Sequence, residues 1–270
     1  MMNVKPMLGS HDFVMITLDT LRFDVAHQEY TAGRLPNLSR VLPEHGWEKR
    51  HSPASFTYAA HHAFFAGFLP TPVSPGPHPR LFALAFPGSE TTGEQTLVFD
   101  APDIISGFRQ QGYYTVCVGG VGFFNKRTPL GRVLPDLFDE SHWSEAMGVT
   151  AQDSTAYQVR LIRQSYARWK EGSKGRVFLF LNISALHQPN CYYVPGQSKD
   201  NLDSHAAALR YVDMQLGSLF EFLSTQGNSF CVLCSDHGTA YGDDDYHGHR
   251  LGHSSVWDVP YAQFELTTQS

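Results

Sequence analysis

Four histidines, His237, His247, His249 and His253, fall within seventeen residues, and an aspartate precedes the first of them in Ser235-Asp236-His237-Gly238. The pair closes the apolar run Phe230-Cys231-Val232-Leu233-Cys234. A hard oxygen and an imidazole nitrogen at the rim of a buried strand form a donor set suited to Zn²⁺ or Mn²⁺. Gly238 is expected to let the backbone turn away so that both side chains address one point. A second apolar run, Phe13-Val14-Met15-Ile16-Thr17-Leu18, is too short to span a membrane and ends on Asp19. Ligands in open α/β sheets gather outside the carboxyl ends of the strands, so Asp19 meets Asp236 and His237 if the two strands lie near each other in one parallel sheet. Taken alone, Asp19 reads equally as the N-cap of the next helix, and Asp236-His237 as a surface turn.

Between these anchors, Ser55 to Gly67 reads as a helix opened by a small hydroxyl residue and closed by glycine, with Thr57 where an N-cap belongs. That hydroxyl can serve only as a cap. Beside a metal it can instead ionise and attack a phosphate or sulfate drawn to the N–H groups at the helix start.

In their order these segments resemble the alkaline phosphatase superfamily, in its sulfatase-like and phosphoglycerol-transferase-like branches. The resemblance covers nearly the whole chain. It is carried by Leu18-Asp19-Thr20-Leu21-Arg22-Phe23-Asp24, Leu35-Pro36-Asn37-Leu38, the helix ending Ala66-Gly67-Phe68-Leu69-Pro70, Gly112-Tyr113-Tyr114-Thr115, His187-Gln188-Pro189, Tyr211-Val212-Asp213, Ser235-Asp236-His237-Gly238 and Val259-Pro260. It implies a nucleophile ten residues before Gly67, at Thr57, and a metal held by Asp19, Thr57, Asp236 and His237. Sulfatases carry Cys-x-Pro-x-Arg at the nucleophile. Here Ala59 and His61 fill the proline and arginine positions and threonine cannot become formylglycine, which favours phosphoester chemistry. Gly119 to Lys126 looks like the Gly-rich segment of the phosphoglycerol transferases, with Lys126 in place of a phosphate-contacting arginine. No acid stands four residues before His187, so one ion per chain is expected, Zn²⁺ or Mn²⁺ ahead of Ca²⁺ or Mg²⁺. The resemblance makes Thr57, His187 and His253 the catalytic candidates, with His61, Asn125, Lys126, His187, His247 and His253 around a small anionic substrate. A sulfate or phosphonate ester hydrolase, or an inactive metal-binding homologue, is the alternative.

The 270 residues, 42% hydrophobic and 13% aromatic, supply one large core. Alternating strand and helix patterns (Leu97 to Phe99, Asp103 to Gln111, Thr115 to Val118, Ala156 to Trp169, Val177 to Leu181) specify a single α/β domain over 1–270, with a mostly parallel central sheet and helices on both faces. A net charge of −6 without a basic cluster argues against a nucleic-acid groove. With no apolar leader or spanning segment, the expected location is cytoplasmic, without a membrane partner; a homo-oligomer is compatible with the sequence. Cys117, Cys231 and Cys234 lie in strand patterns and read as buried thiols, and Cys191 as a loop residue. Phe68 to Pro102, with seven prolines, is expected to form a wall of the substrate pocket or a subunit contact.

Overall fold

The computed structural model describes residues 3–67, 82–84, 97–99, 103–171 and 175–268, with the backbone alone for 82–84 and 97–99. In chain order the elements begin with β1 (Asp12–Leu18), α1 (Phe23–Thr31), β2 (Glu48–His51), α2 (Thr57–Ala66), β3 (Phe82–Leu84) and β4 (Leu97–Phe99). They continue with α3 (Ile104–Gln110), β5 (Tyr114–Val118), α4 (Pro129–Val133), β6 (Glu140–His142), α5 (Ser154–Glu171) and β7 (Val177–Ile183). The last are α6 (Leu202–Gln226), β8 (Ser229–Cys234), β9 (Ala240–Asp243), β10 (Tyr246–Gly248), α7 (Ser254–Trp257) and β11 (Asp258–Leu266).

Seven strands form the central sheet in the order β2-β11-β8-β1-β7-β5-β6. The five from β8 to β6 are parallel, while β11 runs antiparallel to β8 and β2 antiparallel to β11. The runs around β1 and β7 are continuously apolar because helices cover both faces. Val14, Ile16, Leu18, Leu179 and Leu181 pack on one side with Ile162, Tyr166 and Trp169 of α5 and Leu209, Val212 and Leu216 of α6. Phe13, Phe178, Phe180 and Phe230 point to the other, against Tyr58 and Phe65 of α2 and Ile105 of α3. Side chains alternate along a strand, so one residue of slippage would exchange the two cores.

The expected fold class is therefore the observed one, with two differences. Residues 97–99 are a strand, but they pair in parallel with β3 in a separate two-stranded sheet. The region around Val259-Pro260 forms an antiparallel strand that the sequence reading did not assign. Most of Phe68 to Pro102, expected as a pocket wall or contact, lies outside the described residues. Cys117, Cys231 and Cys234 are buried free thiols, as expected from their strands, and Cys191 is free and half-buried. Among the described residues no helix is long and apolar enough to cross a membrane.

The edge strand β6 is tied down through Glu140. Its carboxylate accepts from Arg168 Nη1 (2.9 Å) and Nη2 (2.6 Å), Trp169 Nε1 (3.1 Å) and the Tyr114 hydroxyl (3.0 Å), joining α5 and β5 to the edge. These bonds, that from Arg168 foremost, hold its carboxyl down from 4.5 to about 2. A depressed folded-state value stabilises the fold fully above the unfolded value and less as pH falls toward the folded one. Glu140→Gln should thus cost about 1–2 kcal/mol near neutrality, discounted for the exposure of Arg168. The difference in Tm from the parent should shrink as pH drops from 4.5 toward about 2, which calorimetry or circular dichroism across that range measures. A pH-independent difference would show that the charge of Glu140 is not what ties the edge.

Candidate active site

Because β1 and β8 are adjacent and parallel, with Thr17 in register with Cys234, the residues just past their carboxyl ends meet. Ser235 Oγ lies 2.7 Å from both Leu18 O and His237 O, which staples the two strand ends together. After Asp19 the chain passes through Thr20 at φ +65°, a left-handed conformation unfavourable for a β-branched residue. That conformation aims the Thr20 amide at Asp236 Oδ1 (3.3 Å), while the Thr20 hydroxyl donates to Leu186 O (3.1 Å). Gly238 does not adopt a positive φ; a Cβ there would collide with the backbone of Ser255, so close approach rather than a sharp turn requires glycine.

Asp19, Asp236 and His237 are fully buried, and one ligand atom from each lies within 4.8 Å of the others. His237 Nδ1–H donates to Gly238 O (2.8 Å), which leaves the Nε2 lone pair bare. That Nε2 is 3.2 Å from Thr57 Oγ1, and the same hydroxyl is 3.3 Å from Asp19 Oδ2. Thr57 is the first residue of α2. The N-cap is Phe56, whose side chain makes no capping bond, so the hydroxyl does not cap its own helix as the spacing suggested. Gly67 closes α2 at φ +78°, as expected.

Asp19 Oδ1 and Asp236 Oδ2 are buried without a hydrogen-bond donor. Burial, and next the charge of Asp236, push the Asp19 carboxyl up to about 7; burial pushes Asp236 up to about 7 as well. Lone-pair-bearing atoms of Asp19, Asp236, His237 and Thr57 thus converge in water-excluded surroundings. Their chemistry fits a divalent cation.

Beneath Thr57 runs a chain of buried polar groups with one consistent direction. Asn182 Nδ2 donates to Thr17 Oγ1 (3.1 Å), Thr17 Oγ1 donates to His61 Nε2 (3.0 Å), and His61 Nδ1 donates to Thr57 O (2.7 Å). Burial lowers the His61 pKa to about 3, so the ring is neutral. It is walled by Phe64, Phe65, Phe124 and Phe180. With both ring nitrogens engaged and no exposure, His61 supports α2 and does not face a substrate as expected.

The histidines sort differently from their sequence spacing. His187 donates Nδ1–H to Gln188 O (2.5 Å), leaving Nε2 free, and its ring stands 5.7 Å from that of His249. The His249 ring is 4.6 Å from that of His237, and its Nδ1 is buried without a partner. Burial lowers the His249 pKa to about 3. His253, expected in the pocket, instead caps α7: its Nδ1 accepts from Ser255 N (3.1 Å), and its Nε2 lies 3.2 Å from Asp244. His247 is exposed on β10, opposite Tyr241 in the β9–β10 hairpin. Asn125 accepts from Arg127 N (2.9 Å), and Lys126 is held by Ser141 (2.8 Å) and Asp136 (3.3 Å), so neither bonds to the cluster. His249 was the residue missed. Its signal, a place twelve residues past His237, cannot be distinguished in sequence from those of His247 and His253.

The hairpin leading to His249 is anchored by Arg22. The guanidinium is 5% exposed and donates to both carboxylate oxygens of Asp243 (2.7 and 2.9 Å) and both of Asp24 (2.9 and 2.6 Å). The β9 end is thereby locked to the segment that follows Asp19.

The mostly parallel sheet thus carries a buried acid–acid–imidazole cluster beside a helix-initial hydroxyl. Residues 11–262 match the family described as Sulfatase, and the chain belongs to it, within the alkaline phosphatase superfamily. No curated protein matches the chain. Among solved structures, the C-terminal periplasmic domain of phosphoethanolamine transferase EptC from Campylobacter jejuni is similar at TM-score 0.63 and 12% identity, over 95% of this chain and 79% of that one. The corresponding Escherichia coli EptC domain, in complex with Zn, is similar at TM-score 0.64 and 12% identity, over 96% and 73%. The integral membrane lipooligosaccharide phosphoethanolamine transferase A from Neisseria meningitidis aligns at TM-score 0.64 and 13% identity over 95% of this chain, which spans 48% of that protein. At these identities the likeness is one of fold.

Zn²⁺ or Mn²⁺ should raise the Tm of metal-stripped protein, by about 4 kcal/mol of linkage at a thousandfold excess over Kd. Asp236→Asn should abolish that rise without lowering the metal-free Tm, since it removes an unpaired buried charge. An equal metal-induced rise in the variant and the parent, read by scanning calorimetry, would exclude Asp236 as a ligand.

Proposed function

We propose that this chain is one catalytic unit over residues 1–270 that transfers or hydrolyses phosphate esters through a covalent phosphothreonine at Thr57. The observation that carries the reading is the Thr57 hydroxyl, turned away from capping its helix and lying between Asp19 Oδ2 and His237 Nε2. Asp19, Thr57, Asp236 and His237 would hold a divalent cation, one per chain. Bound there, the cation supplies Lewis acidity, easing ionisation of the hydroxyl and neutralising charge on the transferring oxygens.

The protein's own groups do the rest. Asp19, through Oδ2, takes the hydroxyl proton; Thr57 Oγ1 forms a bond to phosphorus as the bond to the leaving oxygen breaks. The first-turn N–H groups of α2, free of a side-chain cap, face the charge that builds there. His187, when protonated at Nε2, and His249, in the place first expected for His253, donate N–H hydrogen bonds to the phosphoryl oxygens, and His187 passes its Nε2 proton to the leaving alkoxide. Attack by water or by an acceptor alcohol then breaks the Oγ1–P bond. Hydrolysis and transfer differ only in that second nucleophile. His61 keeps the carbonyl of Thr57 fixed and so sets where Oγ1 stands.

Action in the cytoplasm belongs to the same reading, and the four free thiols support it. The EptC domains named above are periplasmic.

Thr57→Ala should lower kcat/KM for aryl phosphate esters by about a thousandfold or more with the fold intact. Quenched parent protein should yield a Thr57 peptide one phosphoryl group heavier. Matched aryl phosphates should be turned over better than aryl sulfates. A Thr57→Ala variant as active as the parent, or a clear sulfate preference, would overturn the assignment.

A further inference from the structure

Arg250 follows His249 and takes no part in the chemistry described so far. It occupies the left-handed region at φ +71°, and its amide donates to Ser55 O (2.9 Å), two residues before Thr57. The guanidinium carbon lies 5.1 Å from the centroid of Phe56, the residue adjoining Thr57. Among the described residues no carboxylate pairs with it, in contrast to Arg22 and its two. The residue is exposed and adjoins His249, whose ring stands 4.6 Å from that of His237.

A guanidinium held over an aromatic ring by a cation–π contact can still present its N–H groups to a phosphate or carboxylate, which arginine receives in a bidentate fashion. His249, the preceding residue, is half-buried. A second negative charge on a substrate is met best by a cation outside the metal cluster, and Arg250 stands at the rim beside the nucleophile helix.

We propose that Arg250 is a specificity-determining residue that receives an anionic group on the leaving-group side, so that the preferred substrates are phosphate esters bearing a second phosphate or carboxylate. This rests on the phosphoester reading above. It adds which esters are chosen.

The test compares phenyl phosphate with carboxyphenyl phosphate in the parent, Arg250→Gln and Arg250→Lys. The loss of kcat/KM in Arg250→Gln should be about tenfold greater on the carboxylated ester than on phenyl phosphate, with partial recovery in Arg250→Lys. Taking the ratio cancels leaving-group reactivity and any general shift of the loop. Equal losses on the two esters, or none on either, would overturn the proposal. A readout independent of turnover is calorimetric binding to metal-loaded Thr57→Ala protein. Pyrophosphate should bind more tightly than inorganic phosphate, and Arg250→Gln should remove about tenfold of that advantage. If no ester is turned over yet the Arg250-dependent pyrophosphate preference remains, the catalytic reading fails and the anion site stands. If esters are hydrolysed with no such preference, the anion site fails alone.

Discussion

Two carboxylates buried side by side at the ends of neighbouring strands constrain everything around them. Asp19 and Asp236 have no exposure, and each keeps one oxygen without a donor. Like charges removed from water are costly unless a cation or a proton joins them. The fold nevertheless brings them together by its most rigid means, adjacent parallel strands in register, closed by Ser235 on Leu18 and by a strained Thr20 on Asp236. Stability of the core thus sustains an arrangement that is unfavourable by itself and suited to binding.

The same logic orders the surrounding layer. His61, a polar ring among phenylalanines, is tolerated because both its nitrogens are bonded, and the bonds run from Asn182 on β7 through Thr17 on β1 to the first turn of α2. Asn182 Oδ1 in turn accepts from the Val121 amide (3.0 Å), so the loop after β5 joins the chain. Displacing any member would leave a buried polar group unsatisfied, which costs more than the bond itself contributes. Thr57 is placed by the sheet as much as by its helix.

At the outer side the constraint is electrostatic. Arg22 draws together Asp24 and Asp243, and hydrogen bonds from Arg22 lower the Asp243 carboxyl to about 2. The β9–β10 hairpin is thereby fixed relative to Asp19, and the chain leaving it presents His249 to His237 and sets Arg250 over Phe56. A ladder of one hairpin and one clamp converts a glycine- and histidine-rich stretch into a defined wall.

Local pattern alone determined the strands ending on Asp19 and on Asp236-His237, a helix within Ser55 to Gly67, and the buried cysteines, because apolar runs, a closing glycine and strand alternation are written in neighbouring residues. The family resemblance carried by those segments extended this to the superfamily. Tertiary structure decided the rest. Which of His247, His249 and His253 reaches the cluster depends on a register shift between Tyr246 and His247 and on a clamp whose partners, Arg22 and Asp243, are 221 residues apart. His61 became support rather than substrate contact because its two bonds come from an adjoining strand and from its own helix. Lys126 turned to Asp136 and Ser141 for the same kind of reason. Residue type and spacing announce which side chains can do chemistry, but whether a polar atom is already satisfied is a property of neighbours distant in sequence, and only the packed chain fixes those.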